Sequence, residues 1–150
     1  MSLEKDIHQP KFRSEYHKMT VNLIYTYNWV MEMSRRLFEK EDLTPQQFNI
    51  LRILRGAAKP LSTLQIRQRM LDKMSDTSRI VDRLMKKDLV KKVVCKTDRR
   101  LVDVTISDKG LSLLETLDSY NDELDNQLKG LSEEEAKTLN HLLDKLRNSE

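Results

Sequence analysis

The segment Ser75–Ile106, with the sequence SDTSRIVDRLMKKDLVKKVVCKTDRRLVDVTI, changes its hydrophobic period along its length and thereby decides the fold. Residues 76–87 carry apolar side chains at helical spacing, which predicts a helix that Ser75 caps at its start. Residues 101–106 alternate between apolar and polar side chains, as a strand with one buried face does. Residues 89–96 are β-branched and basic, and a polar loop separates them from that strand. The two segments are therefore predicted to form a β-hairpin.

The predicted helix over residues 76–87 has two chemically different faces. At about 100° per residue, its apolar side gathers Thr77, Ile80, Val81, Leu84 and Met85. The opposite side gathers Arg79, Arg83 and Lys86, with Ser75 near the leading end. A helix that enters a DNA groove needs one face that packs and one that donates hydrogen bonds, and Arg pairs bidentately with guanine edges. Taken alone, the pattern also fits an ordinary amphipathic surface helix.

Three further helices are predicted upstream of this segment. Residues 12–40 contain neither Gly nor Pro and carry apolar side chains at helical spacing, which predicts one long helix. Thr44, followed by Pro45 and Gln47, predicts the start of a second helix that Gly56 ends. Ser62 and Gln65 repeat this capping pattern ahead of a short helix, Thr63–Arg69.

Two helices are predicted downstream, the first from Ser107 to about Leu128 and the second from Ser132 after Gly130. A short helix, a turn, a second helix and a β-hairpin follow one another in a winged helix-turn-helix, whose second helix enters the major groove. The sequence therefore predicts a mainly α fold with a small β-hairpin wing, flanked by helices at both ends.

The wing tip, residues 96–100, carries two adjacent guanidinium groups. A narrow minor groove has an enhanced negative potential that attracts Arg side chains. Arg99 and Arg100 are therefore predicted to enter the minor groove beside the recognition helix. Asp98 would repel phosphate if it faced DNA alone, so we expect it to orient one of these Arg side chains through a charge-assisted hydrogen bond.

Composition and charge agree with this interpretation. The 150 residues carry a net charge of +3, but residues 52–100 alone carry +10, while residues 101–150 carry −7. A basic middle segment attracts a polyanion. The single cysteine excludes a disulfide framework and a thiolate zinc site, and no apolar run approaches about 18 residues, so neither a membrane span nor a signal peptide is expected.

The ordered motifs of residues 43–115 resemble the MarR family of bacterial transcriptional regulators. The resemblance rests on LTPQQFNIL at Leu43–Leu51, SRIVDRLMKK at Ser78–Lys87, DLV at Asp88–Val90, DRR at Asp98–Arg100 and TISDKG at Thr105–Gly110. Asp88 stands where the family often has Gly, and because Asp tolerates a left-handed backbone better than most residues, we expect the family's turn to persist here. The first helix lacks the Cys of the family's peroxide sensors.

The resemblance implies one MarR-like domain over residues 1–150, with the winged helix-turn-helix at about 43–106. Residues 1–40 and 107–150 would supply intertwined dimerisation helices. It implies a cytoplasmic homodimer, nucleoid-associated when bound to a pseudo-palindromic operator in duplex DNA, with Arg100 reaching the minor groove. The residues predicted to contact DNA, or to orient those that do, are Ser75, Thr77, Ser78, Arg79, Arg83, Lys86, Asp98, Arg99 and Arg100.

The family resemblance also implies small aromatic or phenolic effectors, for which Tyr16, Tyr27 and Trp29 are candidate pocket residues. A dimer core is the favoured alternative for these aromatic side chains, because intertwined helices need large apolar anchors. Tyr27 and Trp29 stand roughly 200° apart on a helix, so they cannot both face one pocket. The protein is expected to act as a repressor, because a protein that occupies a promoter blocks polymerase. Binding of the effector would then release the protein from DNA.

The sequence also bears on three other functions. Cys95 lies among Lys92, Lys96 and Arg99, an electropositive setting that suits a redox-responsive regulator, although a single packing Cys is commoner. A winged-helix interaction module without DNA binding would have a neutral recognition face, which the cations contradict. An enzyme is not expected, because no phosphate loop, nucleophile motif or metal cluster appears, and no cofactor or metal is predicted.

Overall fold

The computed structural model describes residues 2–148. Its contacts divide the chain after Leu114 into two compact units. The helices are α1 (Leu3–Asp6), α2 (Glu15–Glu39), α3 (Pro45–Ala57), α4 (Thr63–Arg69), α5 (Thr77–Lys86), α6 (Asp108–Asp118), α7 (Asn121–Leu128) and α8 (Glu133–Arg147). The strands are β1 (Leu61–Ser62), β2 (Val90–Val94) and β3 (Val102–Ile106). The mainly helical fold with a hairpin wing is confirmed.

Capping boxes start three of the helices where the sequence predicts them. The Thr44 hydroxyl accepts a hydrogen bond from the Gln47 backbone N–H, and the Gln47 side chain accepts one from the Thr44 N–H. Ser62 begins α4 and Ser132 begins α8 in the same reciprocal way. Each box satisfies two backbone donors that a helix start would otherwise leave unpaired.

The long first helix begins later than predicted, because Ser14 caps it by accepting from the His17 backbone N–H. A short additional helix, α1, precedes it and carries the buried Leu3. The Glu4 carboxylate lies 2.5 Å from the Lys18 ammonium on α2. The hydrogen bond from Lys18 is the main reason that the pKa of Glu4 is lowered to about 2.

The wing belongs to a three-stranded antiparallel sheet in the order β1-β3-β2. Leu61 of β1 pairs with Val104, and Val90 of β2 pairs with Ile106. The sequence predicts only the hairpin. A strand of two residues is too short to show an alternating hydrophobic pattern, and β1 forms because it pairs with β3. Through β1, the wing is joined by backbone hydrogen bonds to the residues that immediately precede α4.

The core of the first unit lies where α3 packs against α2, α4, α5 and β3. Its fully buried side chains include Ile50, Leu51, Leu54, Leu61, Ile66, Met70, Val81, Leu84, Val104 and Leu114. Burying a side chain of this size contributes about 1.5–3 kcal/mol to the free energy of unfolding. This core fixes the orientation of α5 relative to the wing.

Two helix ends differ from the sequence prediction. Gly56 lies inside α3, and Ala58 ends that helix with a left-handed backbone at φ 52°. The predicted helix from Ser107 to Leu128 is interrupted, since α6 ends at Asp118 and α7 starts at Asn121. At this break the Ser119 hydroxyl donates to the Thr116 carbonyl at 2.6 Å, which competes with the helical hydrogen bond.

The turn after α5 and the start of α6 follow the sequence prediction. Asp88 adopts a left-handed backbone with φ 59°, which Asp tolerates better than most residues. Ser107 accepts a hydrogen bond from the Gly110 N–H at the start of α6. Within residues 2–148, no helix combines the length and apolar character that a membrane span requires.

Candidate nucleic-acid interface

Asp76, and not Ser75, caps the helix α5 that carries the predicted DNA contacts. The Asp76 carboxylate accepts from the Arg79 backbone N–H at 3.2 Å. The Ser75 hydroxyl instead donates to the Asp72 carbonyl at 2.7 Å within the preceding turn. The predicted cap is therefore wrong by one residue, because both side chains can cap and the turn geometry selects between them.

The back of α5 packs into the core of the first unit. Val81 and Leu84 are buried on this face. Thr77 shares it with 3% of its surface exposed, and its hydroxyl is buried without a hydrogen-bond partner. The prediction that Thr77 contacts DNA is therefore wrong, because a base or phosphate cannot reach this side chain.

The front of α5 presents Ser78, Arg79, Arg83 and Lys86 to solvent. The Arg79 guanidinium lies 3.4 Å from the Asp76 carboxylate, with 79% of its side chain exposed. An ion pair this exposed is weak, so Arg79 remains able to exchange it for a nucleic-acid partner. The predicted row of cations thus exists as one exposed helix face.

An ion pair that the sequence analysis missed joins α5 to the wing. The Lys92 ammonium of β2 donates to the Asp82 carboxylate of α5 at 3.1 Å. This pair offsets a negative charge on the helix and connects the helix directly to the wing. No local sequence pattern predicts this pair, because one residue lies on a helix and the other on a strand.

Asp98 organises the wing tip through the backbone. Its carboxylate accepts from the Arg100 N–H at 2.9 Å, and its carbonyl accepts from the Leu101 N–H at 3.0 Å. The expected bond between Asp98 and a guanidinium is therefore replaced by a turn hydrogen bond typical of Asp. Arg99 and Arg100 both lie on the surface at this tip.

The turn between α4 and α5 is fixed by a contact from α3. The Asn49 side-chain oxygen accepts from the Leu71 backbone N–H at 2.9 Å, across 22 positions of sequence. The Lys73 ammonium donates to the Gln68 carbonyl at 2.6 Å. These bonds set the start of α5 relative to the core, and sequence reasoning missed both because neither follows a local motif.

The carboxyl end of α5 is fixed in the same manner. The Ser107 hydroxyl donates to the Asp88 carbonyl at 2.6 Å, and the Lys109 ammonium donates to the Lys87 carbonyl at 2.9 Å. The Lys87 ammonium lies 3.0 Å from the Asp42 carboxylate. Both ends of α5 are thus restrained, which preorganises its exposed face for binding.

The remaining predicted site residues lie away from α5 and the wing tip or have local partners. The half-buried Cys95 has its sulfur 3.2 Å from the Thr97 hydroxyl. Tyr16, Tyr27 and Trp29 lie on α2, and 47–80% of their surface is exposed. Among residues 2–148, no group of three His, Cys, Asp or Glu side chains could hold a metal ion.

Comparisons with known proteins agree with this geometry. Residues 41–101 match the family model described as the MarR family. The HTH-type transcriptional regulator MhqR of Bacillus subtilis (strain 168) is 28% identical over 131 residues, which cover 86% of this chain and 89% of MhqR. The crystal structure of a MarR transcription factor from Planctomyces limnophilus is 29% identical with a TM-score of 0.66, and the match covers 91% of this chain and 98% of that one.

The fold is also that of the organohalide-sensing regulator RdhR, whose structure was solved with 2,4-dichlorophenol bound. The two chains are 21% identical, with a TM-score of 0.80 over 90% of this chain and 80% of RdhR. At this identity the likeness concerns the fold. It extends beyond the stretch matched by the family model to most of both chains.

Proposed function

We propose that the chain is a winged helix-turn-helix transcriptional regulator of the MarR family, that it represses transcription from a specific operator and that a small molecule releases it. The observation that supports operator recognition most directly is the exposed row Ser78, Arg79, Arg83 and Lys86 on a helix fixed at both ends. Arg79 and Arg83 would donate to guanine edges, with Lys86 on the phosphate backbone. Ser75 would contact a phosphate from the turn.

The wing would add a second contact. Arg99 and Arg100 are exposed at a tip that the Asp98 turn orders, and Arg side chains enter minor grooves of strong negative potential. In this proposal Asp98 acts as a positioning residue for Arg100. The Asp82–Lys92 pair would add a contact between the wing and α5 while they bind adjacent grooves.

We propose a homodimer, because two separate surfaces of the chain leave apolar residues exposed. On α2 they include Tyr16, Met19, Leu23, Ile24, Tyr25, Tyr27 and Trp29. On α8, Leu139, Leu142 and Leu146 are exposed, and a shallow groove runs beside Leu131 and Thr138. Apolar surface of this extent is typical of an interface with a second copy. The dimer would place two α5 helices about one DNA turn apart on a pseudo-palindromic operator.

A phenolic or small aromatic effector is proposed as the releasing ligand. RdhR, which has the same fold, binds 2,4-dichlorophenol, and α2 of this chain offers exposed aromatic side chains to such a ring. Tyr16 would act together with either Tyr27 or Trp29, because these two lie on opposite sides of the helix. An effector shifts the equilibrium only by its differential affinity for the two states of the dimer. Regulation of bacterial promoters would place the protein in the cytoplasm, without enzymatic activity of its own.

The test uses the full chain and a duplex enriched from random-sequence DNA by repeated selection at fixed salt. Arg83→Ala should weaken binding to that duplex by about 5- to 150-fold and relax base preference at one position, since a bidentate contact to a base is lost. Fluorescence anisotropy measures the dissociation constants. Arg36→Ala on α2 removes the same charge from an exposed pair with Glu32 and serves as the matched control.

Two results would contradict the proposal. The first is equal weakening by Arg83→Ala and Arg36→Ala, which would indicate only a general charge effect. The second is equal affinity for the selected duplex and a scrambled one. A redox-responsive mechanism through Cys95 would instead predict that oxidation releases the duplex and that Cys95→Ser abolishes this release.

A further inference from the structure

The turn between α4 and α5 presents two large apolar side chains to solvent. Leu71 is 87% exposed and Met74 is 92% exposed. Their neighbours in sequence are mainly polar or cationic, including Arg67, Arg69 and Lys73, all on the surface. Exposed apolar side chains in such a setting suggest a partner that is both anionic and locally apolar.

The backbone holds these side chains outward. The Leu71 N–H donates to the Asn49 side chain at 2.9 Å, and the Met74 N–H donates to the Asp72 carboxylate at 3.0 Å. The Ser75 hydroxyl donates to the Asp72 carbonyl at 2.7 Å in the same turn. The turn is thus ordered before any partner arrives, which lowers the entropy cost of binding through it.

We propose that Leu71 and Met74 contact thymine methyl groups in the major groove and so help to determine operator sequence, an inference that rests on the proposed function. Met74 lies two residues before the Asp76 cap, beside the end of α5 that would enter the groove. The thymine C5 methyl is the apolar group that a DNA major groove displays, and apolar side chains recognise it.

Charge favours DNA over a protein partner for this turn. The surrounding cations suit phosphates on both sides of the groove, and the turn continues directly into the exposed face of α5. An apolar protein surface would have to desolvate these cations without returning any compensating charge. The two apolar side chains would therefore add base preference at positions that Arg79 and Arg83 do not read.

The experiment uses the duplex selected above, synthesised with deoxyuridine in place of one thymidine at a time, so that only a methyl group is removed. The wild-type protein should lose about four-fold in affinity at each contacted thymine, the weight of one buried methyl group. Leu71→Ser and Met74→Ser should each bind the thymine and uracil duplexes equally at the position that residue reads. Both residues are exposed, so these variants should keep the thermal midpoint of the wild type.

The control variant is Leu64→Ser, which removes an equally apolar side chain that is 64% exposed near the opposite end of α4. It should keep the full sensitivity to thymine methyl loss. The inference is overturned if no deoxyuridine substitution weakens the wild type, or if Leu71→Ser and Met74→Ser retain the wild-type sensitivity. Failure to enrich any duplex would overturn the proposed function itself, and is recognised before the methyl groups are tested.

Discussion

The winged helix-turn-helix and α8 carry similar amphipathic patterns but use them differently. In the first, Ile50, Leu51 and Leu84 are fully buried within one chain. In α8, Leu139, Leu142 and Leu146 remain exposed by 42–53%, and none of the helix's described residues is buried. An apolar stripe on a helix therefore predicts that this face is buried against another surface. It does not predict whether that surface belongs to the same chain or to a partner.

The largest expected effect is on the self-contained core. Leu84→Ala should lower the free energy of unfolding by about 2–5 kcal/mol, because it removes methyl groups from a fully buried site and leaves a cavity. Urea denaturation measures the change. The loss should be the same at every protein concentration, because the cavity lies within one chain. A loss below about 1 kcal/mol would contradict the assignment of Leu84 to the core.

Substitution of two glycines in the first unit should have smaller effects on stability, and these effects should differ in sign. A Cβ at Gly110 would overlap the Leu89 carbonyl oxygen and lie 2.8 Å from the Ile106 Cγ1, whereas a Cβ at Gly56 would meet nothing within 4 Å. Gly110→Ala should therefore destabilise the protein by about 1–3 kcal/mol, as overpacking does.

The matched variant, Gly56→Ala, should stabilise α3 by about 0.5–1 kcal/mol, since Ala is the better helix former. Thermal unfolding of the two variants side by side gives both values. Equal shifts in the same direction would contradict the close packing of Gly110 against Leu89 and Ile106.

A further prediction concerns the exposed helix α8. Leu142→Ser should leave the core intact but weaken self-association by about ten-fold, because an apolar contact is lost from each subunit. Analytical ultracentrifugation over a dilution series measures the dissociation constant. Lys137→Ala, on the same helix and paired with Glu133 and Glu134, is the control that should leave association unchanged. A wild-type protein that is monomeric throughout the series would contradict the proposal that a second copy covers the apolar face of α8.

Local chemistry explains which features the sequence predicts. The boxes at Thr44 and Ser62 and the left-handed turn at Asp88 depend on residues within a few positions, so they follow from the sequence and are confirmed. The period change also locates the hairpin strands. The position of Arg83 on the exposed face follows from helical geometry alone.

The features that sequence reasoning missed depend on distant partners. Strand β1 exists because Leu61 meets Val104, and the turn before α5 is fixed because Asn49 reaches Leu71. The choice of Asp76 over Ser75 as cap, and the burial of Thr77, are settled by the way that turn meets the core. Tertiary packing therefore determines which of two possible caps or side-chain environments forms, where the local sequence is compatible with both.

The pairing of β1 with β3 has a mechanical consequence for regulation. Because β1 runs directly into α4, and Lys92 of β2 pairs with Asp82 of α5, the wing is connected to both helices and resists bending relative to them. In the proposed homodimer, an effector would therefore lower DNA affinity by moving this unit as a whole relative to the same unit of the second subunit. A ligand that acted only by loosening the hairpin would also have to disrupt the backbone pairing of β1 with β3.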